Sequence, residues 1–243
     1  MILALCVVLL AGLATSAGAA LVVLRREPSP SLLASSLAFA AGAMLLLSVV
    51  EIVPEGVAAL QPLMPSGHAL LAVLALAVIG AGAVVLIDRV VPRVPARSGL
   101  LVALVLAAHN LPEGMATFFA TYTAPNTGLV VAVAVAIHNI PEGIAVAAPV
   151  FAATRSRGKA FWWATASGLA EPLGGLVAAG LAAWVVPAPL FGLVFGLVAG
   201  MMVMLALAEL LPAALRHGSV AKVGGGALLG MAAVASSLVL VVF

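Results

Sequence analysis

The sequence HNLPEG occupies residues 109–114 and HNIPEG occupies residues 138–143, so five of the six positions are repeated. Both copies lie within long apolar stretches. Imidazole, amide and carboxylate groups are costly in hydrocarbon, and ionisable residues inside a membrane-spanning segment usually mark the path of an ion or a substrate. The repeated motif therefore predicts a polar site inside an otherwise apolar protein.

The composition around the motif is that of a membrane protein. Hydrophobic residues make up 65% of the 243 residues and charged residues 7%, and the mean hydropathy is +1.33. Apolar stretches of about 20 residues, the length of a membrane-spanning helix, recur along the chain. We therefore expect an all-α integral membrane protein, with residues 1–243 in a single transmembrane domain. The net charge of +2 is not gathered into a basic face, so nothing indicates a nucleic-acid partner.

Breaks in the apolar pattern predict eight transmembrane helices. They lie near residues 2–24, 32–54, 69–90, 98–121, 128–150, 160–185, 188–213 and 221–243. We expect the first to be a retained helix rather than a cleaved signal peptide, because no positively charged segment precedes its apolar run.

Lysine and arginine indicate how the helices are oriented. All ten of these residues fall at the connections between the first and second, third and fourth, fifth and sixth, or seventh and eighth predicted spans. The other connections and both termini contain none. Because loops rich in Lys and Arg stay in the cytoplasm, both termini are predicted to lie outside it.

A second repeat relates the second and seventh spans. Residues 42–54 and 200–212 share Gly, Met, Leu, Glu and Pro at a constant offset. Since the two spans cross the membrane in opposite directions, these segments are predicted to form inverted repeats, a common plan of secondary transporters. Their carboxylates, Glu51 and Glu209, lie towards the outer and inner membrane faces respectively. Each is either an entrance or exit ligand or an interfacial carboxylate, and the sequence favours neither.

Each copy of the HNxPEG motif places three different metal ligands together on a helix. Residues four apart share a helix face, so His109 and Glu113 lie one turn apart, with Asn110 beside them. The second copy repeats this arrangement with His138, Asn139 and Glu142. The proline in each copy removes a backbone donor and frees a carbonyl oxygen one turn earlier. Two such faces in contact would form a site for a polyvalent cation.

The sixth predicted span adds Glu171, which is again followed by proline. Three carboxylates near the bilayer centre cost about 3 kcal/mol each on insertion scales, and that cost is offset either by a bound divalent cation or by protonation of one or more of them. Nitrogen and oxygen donors without a thiolate suit Zn²⁺, Fe²⁺, Mn²⁺, Co²⁺ or Cd²⁺ better than Cu⁺. The alternative reading of each polar residue is a hydrogen bond between helices.

These motifs resemble the ZIP (Zrt/Irt-like) family of divalent metal transporters, and the short chain resembles the family's bacterial ZupT/GufA branch. The resemblance rests on the two HNxPEG helices, the E-P-x-G segment of the sixth span and the E-x-x-P segment of the seventh. It implies a binuclear metal site. One metal position would be formed by His109, Glu113, His138 and Glu142. The neighbouring position would be formed by Asn110, Glu113, Asn139, Glu142 and Glu171, with Glu113 and Glu142 bridging the two.

The resemblance also implies a 3+2+3 arrangement of the helices and alternating access, with metal moving toward the cytoplasm. Zinc would be the main substrate, with iron, manganese, cobalt and cadmium as further ones, and no cofactor is expected apart from the transported metal. A homodimer in the bacterial cytoplasmic membrane is implied as well. In one respect the chain departs from many members, because residues 88–97, between the third and fourth helices, contain no histidine. Metal sensing by that connection is therefore not expected.

Two other classes of function compete with metal transport. An intramembrane metalloprotease needs two histidines and a glutamate in the pattern H-E-x-x-H, whereas this chain has H-x-x-x-E. A metal-dependent oxidase would need more than the two intramembrane histidines. A Na⁺- or proton-coupled carrier of an organic solute would need a lining of Ser, Thr and aromatic residues, although the asparagines and carboxylates could bind Na⁺. We therefore expect a transporter and not an enzyme.

Overall fold

A computed structural model describes residues 1–24, 30–90, 97–123, 125–181 and 188–242. The side chain of His138 is not among those it describes, and neither is most of the connection at residues 88–97. Throughout the described ranges the secondary structure is helical, with no β-strand. The prediction of an all-helical protein is therefore confirmed for this part of the chain.

The described residues form eleven α-helices and two π-helical segments. The α-helices are α1 (Ile2–Val23), α2 (Pro30–Leu47), α3 (Val53–Leu60), α4 (Ser66–Val90), α5 (Arg97–Thr123), α6 (Pro125–Thr154), α7 (Arg157–Gly168), α8 (Ala170–Leu181), α9 (Ala188–Leu205), α10 (Leu211–His217) and α11 (Val220–Val242). The π-helical segments, Ser48–Ile52 and Ala206–Leu210, join α2 to α3 and α9 to α10. Six of the described helical stretches are long and apolar enough to cross a membrane, and a seventh, Val220–Ser236, is apolar but shorter.

The two π-helical segments occupy equivalent places in the second repeat. Each begins six residues before a proline, which is Pro54 in the first copy and Pro212 in the second. Because proline cannot donate to the carbonyl oxygen four residues earlier, the regular α-helical ladder is interrupted at this point. The N–H of the preceding residue instead bonds five residues back, from Val53 to Ser48 and from Leu211 to Ala206. Both copies therefore have the same local backbone geometry, with Glu51 and Glu209 inside the wider turn.

The sixth predicted span is not one continuous helix. It divides at Leu169 into α7 and α8, and residues 182–185 of the predicted span lie outside the described residues. The N–H of Leu169 still donates to the carbonyl oxygen of Thr165, at 2.9 Å. Pro172 has no N–H with which to bond the carbonyl of Gly168, so the ladder is broken immediately before Glu171. Glu171 consequently lies in the first turn of a new helix.

The helices pack most closely within two groups. The first, which we call the motif bundle, consists of α1, α5, α6, α7 and α8 and carries both HNxPEG copies and Glu171. The second, the framework bundle, consists of α2, α3, α4, α9, α10 and α11. Contacts of α6 with α2 and of α5 with α9 join the two bundles.

The distribution of polar and apolar residues is that of a protein in lipid. Large apolar side chains are exposed on the outside, and on α4 the exposed fraction is 67% for Leu71 and 74% for Val78. The interior instead contains buried polar and ionisable residues, among them Asn110, Glu142 and Glu171. Since lipid rather than water surrounds such a surface, the chain is a multi-pass membrane protein.

Candidate metal site

The first HNxPEG copy lies in the middle of α5, where it faces the second copy on α6. His109 is the centre of this contact: its Nε2 is 3.5 Å from Oε2 of Glu113 and 3.7 Å from Oε1 of Glu142. Glu113 is one turn further along the same helix, whereas Glu142 comes from the neighbouring helix. An imidazole nitrogen and two carboxylates from two helices therefore converge in the interior. A divalent cation is bound by donors of these types.

The two asparagines of the motifs join the same interior region. Nδ2 of Asn139 donates to Oε2 of Glu171 at 2.6 Å and to the carbonyl oxygen of Ala11 at 2.9 Å. The amide of Asn110, oriented to satisfy its neighbours, donates to the carbonyl oxygen of Leu106 at 2.9 Å and to Oε2 of Glu142 at 3.1 Å. Each asparagine thus holds a carboxylate of another helix in place. Both amides are fully buried.

The break between α7 and α8 brings Glu171 to the two motif helices. The carboxylate is fully buried, and it lies in the first turn of α8, where the positive end of the helix dipole stabilises a negative charge. Its Oε2 accepts the hydrogen bond from Asn139, while its Oε1 has no hydrogen-bond partner in the described part of the chain. A buried carboxylate oxygen without a hydrogen bond is unfavourable, and a bound cation would stabilise it.

Proline shapes the backbone of both motif helices. Pro112 lies inside α5 and Pro141 inside α6, without ending either helix. Because proline has no N–H, the carbonyl oxygens of Ala108 and Ile137, four residues earlier, have no intrahelical partner at that position. Each motif therefore offers a backbone oxygen next to its side-chain ligands.

Histidine and carboxylate side chains alone do not make a complete site in the described part of the chain. Among the residues there, no group of three or more His, Cys, Asp or Glu side chains is arranged to hold a metal ion. His138 lies in α6 one turn before Glu142, but its side chain is outside the described set. The amides of Asn110 and Asn139 are further possible donors in the same region.

Glu51 and Glu209, in the two π-helical segments, lie in different surroundings. Glu51 is within electrostatic reach of Glu113, which connects it to the motif bundle. Glu209 instead interacts with Arg97, at the start of α5. The carboxylate of Asp88, with a smaller contribution from Glu209, raises the pKa of the Arg97 guanidinium, which is 2.7 Å from Oδ1 of Asp88. Glu51 is thus near the candidate site. Glu209 is instead near the start of α5, where Arg97 lies.

One buried polar residue in this region was not singled out in the sequence. Thr15 of α1 is fully buried, and its hydroxyl has no hydrogen-bond partner within the described ranges. The signal that could have identified it is a third repeat: GLATSAG at residues 12–18 resembles GLAEPLG at residues 168–174, with Thr15 at the position of Glu171. Four identities among seven residues are easily overlooked in so apolar a chain, because the shared residues are only Gly, Leu and Ala.

Comparisons with known proteins show which family the chain belongs to. A family model described as ZIP zinc transporter matches residues 93–237. The chain is 43% identical to a zinc transporter ZupT of Corynebacterium aurimucosum, over 96% of this chain and 95% of the relative. It is 44% identical to a zinc transporter ZupT of Stenotrophomonas maltophilia, over 98% and 95%, and 43% identical to one of Neisseria meningitidis, over 96% and 94%. The chain belongs to the ZIP zinc transporter family.

Proposed function

We propose that the protein carries divalent transition-metal cations, chiefly Zn²⁺, across the cell membrane toward the cytoplasm. The observation that carries the proposal is the convergence of His109, Glu113 and Glu142 from two helices in an otherwise apolar interior, at 3.5 and 3.7 Å. Iron, manganese, cobalt and cadmium cations are further substrates, because imidazole, amide and carboxylate donors accept all of them. The transported ion is the only metal that this function requires.

Two adjacent metal positions share the carboxylates of Glu113 and Glu142. The first position is completed by the two motif histidines. The second is completed by the two motif asparagines and by Glu171. Oε2 of Glu171 accepts a hydrogen bond from Asn139 at 2.6 Å, which leaves Oε1 for the metal. Two bridging carboxylates suit a pair of divalent cations because they supply negative charge to both at once.

The helices follow a 3+2+3 plan in which both termini lie outside the cytoplasm. In this plan α1 to α4 form the first three spans, α5 and α6 the central two, and α7 to α11 the last three. The matching π-helical segments support inverted repeats, since the same unusual hydrogen-bond pattern occurs in the second and seventh spans. The restriction of lysine and arginine to alternate connections supports the orientation.

Transport occurs by alternating access, as the motif bundle moves against the framework bundle. A cavity of about 250 Å³ lies between them and is lined by Leu37 of α2, Gly99 of α5, Pro149 of α6, and Arg216 and His217 of α10. The arginine at this end supports a location on the cytoplasmic side. The cavity is suited to be the cytoplasmic end of the metal pathway. Glu51, which is near Glu113, is suited to the outer end, and we propose that the protein works as a homodimer.

Two alternative functions are less well supported. Membership of a transporter family argues against an intramembrane metalloenzyme. A carrier of organic solutes would need a larger polar cavity with hydroxyl and aromatic groups, whereas the buried polar residues around Glu142 are of metal-ligand types.

The test is Zn²⁺ uptake into proteoliposomes that contain the purified protein. Wild-type protein should accumulate Zn²⁺ without a reductant, a peptide or an organic solute, and Glu142→Ala should abolish uptake. Glu55→Ala is the matched control, because this carboxylate of α3 is exposed and outside the proposed site. Equal uptake by the wild type and Glu142→Ala, with both proteins folded, would refute the proposed site. Failure of the wild-type protein to move any divalent cation would refute the function.

A further inference from the structure

Helix α1 repeats the sequence around the break between α7 and α8. Residues 12–18 read GLATSAG and residues 168–174 read GLAEPLG, and the two segments are 156 positions apart. Three residues at the start and the glycine at the end are identical. Thr15 stands where the second segment has Glu171.

The crossing of α8 with α5 is unusually close. A Cβ atom placed on Gly114 of α5 would be 1.9 Å from the carbonyl oxygen of Glu171. One placed on Gly174 of α8 would be 1.9 Å from the carbonyl oxygen of Leu111. The two backbones therefore touch through a reciprocal pair of glycines, directly at the first HNxPEG copy.

The crossing of α1 with α6 has the same construction. A Cβ atom on Gly143 of α6 would be 1.9 Å from the carbonyl oxygen of Thr15, and one on Gly18 of α1 would be 2.1 Å from that of Ile140. Every residue here is the repeat equivalent of one in the α5–α8 crossing. Helix α1 thus meets the second HNxPEG copy as α8 meets the first, so the motif bundle has an approximate internal two-fold symmetry that relates Thr15 to Glu171.

Contacts between α1 and the segment around the α7–α8 break follow the same two-fold symmetry. A Cβ atom on Gly12 would be 3.3 Å from Cβ of Glu171, and one on Gly168 would be 2.6 Å from Cβ of Thr15. The positions of the motif asparagines follow it as well: the side chain of Asn139 lies against the backbone carbonyl of Ala11, and that of Asn110 lies against the backbone carbonyl of Ser167, which is 156 positions after Ala11. Because Glu171 contacts Asn139, the symmetry predicts that Thr15 lies on the Asn110 side of the site.

The burial and hydrogen bonding of Thr15 are also those expected of a residue that contacts a ligand. It is fully buried, and within the described ranges its hydroxyl makes no hydrogen bond, unlike neighbouring Ser16, whose hydroxyl is 3.0 Å from that of Thr165. A buried hydroxyl without a partner is unfavourable, so such groups are normally explained by water, an ion or function.

We infer that Thr15 is a further residue of the transport site, the counterpart of Glu171 on the opposite side of the second metal position. A threonine hydroxyl reaches less far from Cβ than a glutamate carboxylate, so it binds a water molecule carried by the cation rather than the cation itself. The second position is then bounded by two asparagines, two bridging glutamates, one further carboxylate and one hydroxyl. This inference rests on the proposed function, because it assigns a residue to the same site.

The first test compares Thr15→Val with Thr15→Ser. Valine keeps the shape of threonine and removes the hydroxyl, whereas serine keeps the hydroxyl and removes the methyl group. Thr15→Val should weaken Zn²⁺ binding, measured by titration of the purified protein, and raise the KM for Zn²⁺ uptake by roughly 10-fold, the lower end of the effect of losing an outer-shell partner. Thr15→Ser should stay within about threefold of the wild type. The opposite order would show a packing role and overturn the inference.

Thr117→Val is the matched control. Thr117 lies in α5, is also buried, and also has an unpartnered hydroxyl in the described part of the chain. Its repeat equivalent in α6, 29 positions later, is already Val146, so the bundle accommodates valine at the equivalent position. The control should bind and transport Zn²⁺ like the wild type. An equal loss in Thr15→Val and Thr117→Val would contradict a specific role for Thr15, whereas a wild-type protein inactive with Zn²⁺ would refute the proposed function instead.

A second test exchanges the two residues. Glu171→Thr alone should weaken Zn²⁺ binding, and the double variant Thr15→Glu/Glu171→Thr should recover at least tenfold of the loss, because the carboxylate then enters from the other side. Recovery would support the equivalence of the two positions. A folded double variant that binds no better than Glu171→Thr would overturn it.

Discussion

Gly114→Ala tests whether the close crossing of α5 and α8 positions Glu171. A Cβ atom at this position would be 1.9 Å from the carbonyl oxygen of Glu171, whereas ordinary van der Waals contact begins at 3.4 Å. Because backbone atoms cannot rotate away, α8 has to move by about 1.5 Å, at a cost of about 1–3 kcal/mol of overpacking. The hydrogen bond of 2.6 Å between Glu171 and Asn139 cannot survive a shift of that size.

The expected result is a loss of transport larger than the loss of stability. Displacement of a binding group by about 1 Å can cost about 100-fold in rate, so Zn²⁺ uptake into proteoliposomes should fall by that order. Gly82→Ala is the control: Gly82 lies in α4, no atom of another described helix would be within 4 Å of the new Cβ, and alanine is favourable in a helix. Both variants should show a cooperative thermal unfolding transition, which demonstrates that they are folded. Equal Zn²⁺ uptake by Gly114→Ala and Gly82→Ala would then refute the reasoning.

Three further predictions concern selectivity, pH and stability. Replacement of His109 and His138 by Ala should reduce Zn²⁺ and Cd²⁺ uptake more than Mn²⁺ uptake, measured by competition, because imidazole favours the later transition metals; an equal loss for all metals would indicate a role in packing. Lowering the outside pH from about 8 to about 5 should raise the KM for Zn²⁺ without changing the rate at saturation, since metal ligands must be deprotonated to bind; a KM independent of pH would contradict this. Asp88→Asn, which breaks the half-exposed pair with Arg97, should reduce the free energy of unfolding by at most about 1 kcal/mol, and a larger loss would show that the pair has a greater role.

Local sequence patterns were sufficient for the type of fold, and they predicted the chemical nature of the candidate site. The apolar stretches predicted membrane-spanning helices, and the spacing of His109 and Glu113 placed them on one helix face. Pro172, by contrast, lies in an apolar stretch that reads as a continuous helix, and the structure divides it at Leu169. The second repeat was visible in sequence, but the π-helical geometry around Glu51 and Glu209 was not. Proline marks where a helix ladder is interrupted, whereas neighbouring helices decide whether the chain kinks, widens or breaks there.

The contacts across the site depend on tertiary structure. Asn139 and Glu171 are 32 residues apart, and Thr15 and Glu171 are 156 apart, so no helical period relates them. Short-range periodicity specifies which side of each helix carries polar groups, but the faces that meet are decided by the packing of all the helices together. In this protein that packing depends on glycines such as Gly114 and Gly143, which allow backbones to touch where any larger residue would separate them. The sequence therefore predicted the candidate metal ligands on each helix, and only the packed bundle showed which helix faces meet and that Thr15 and Glu171 occupy equivalent crossings.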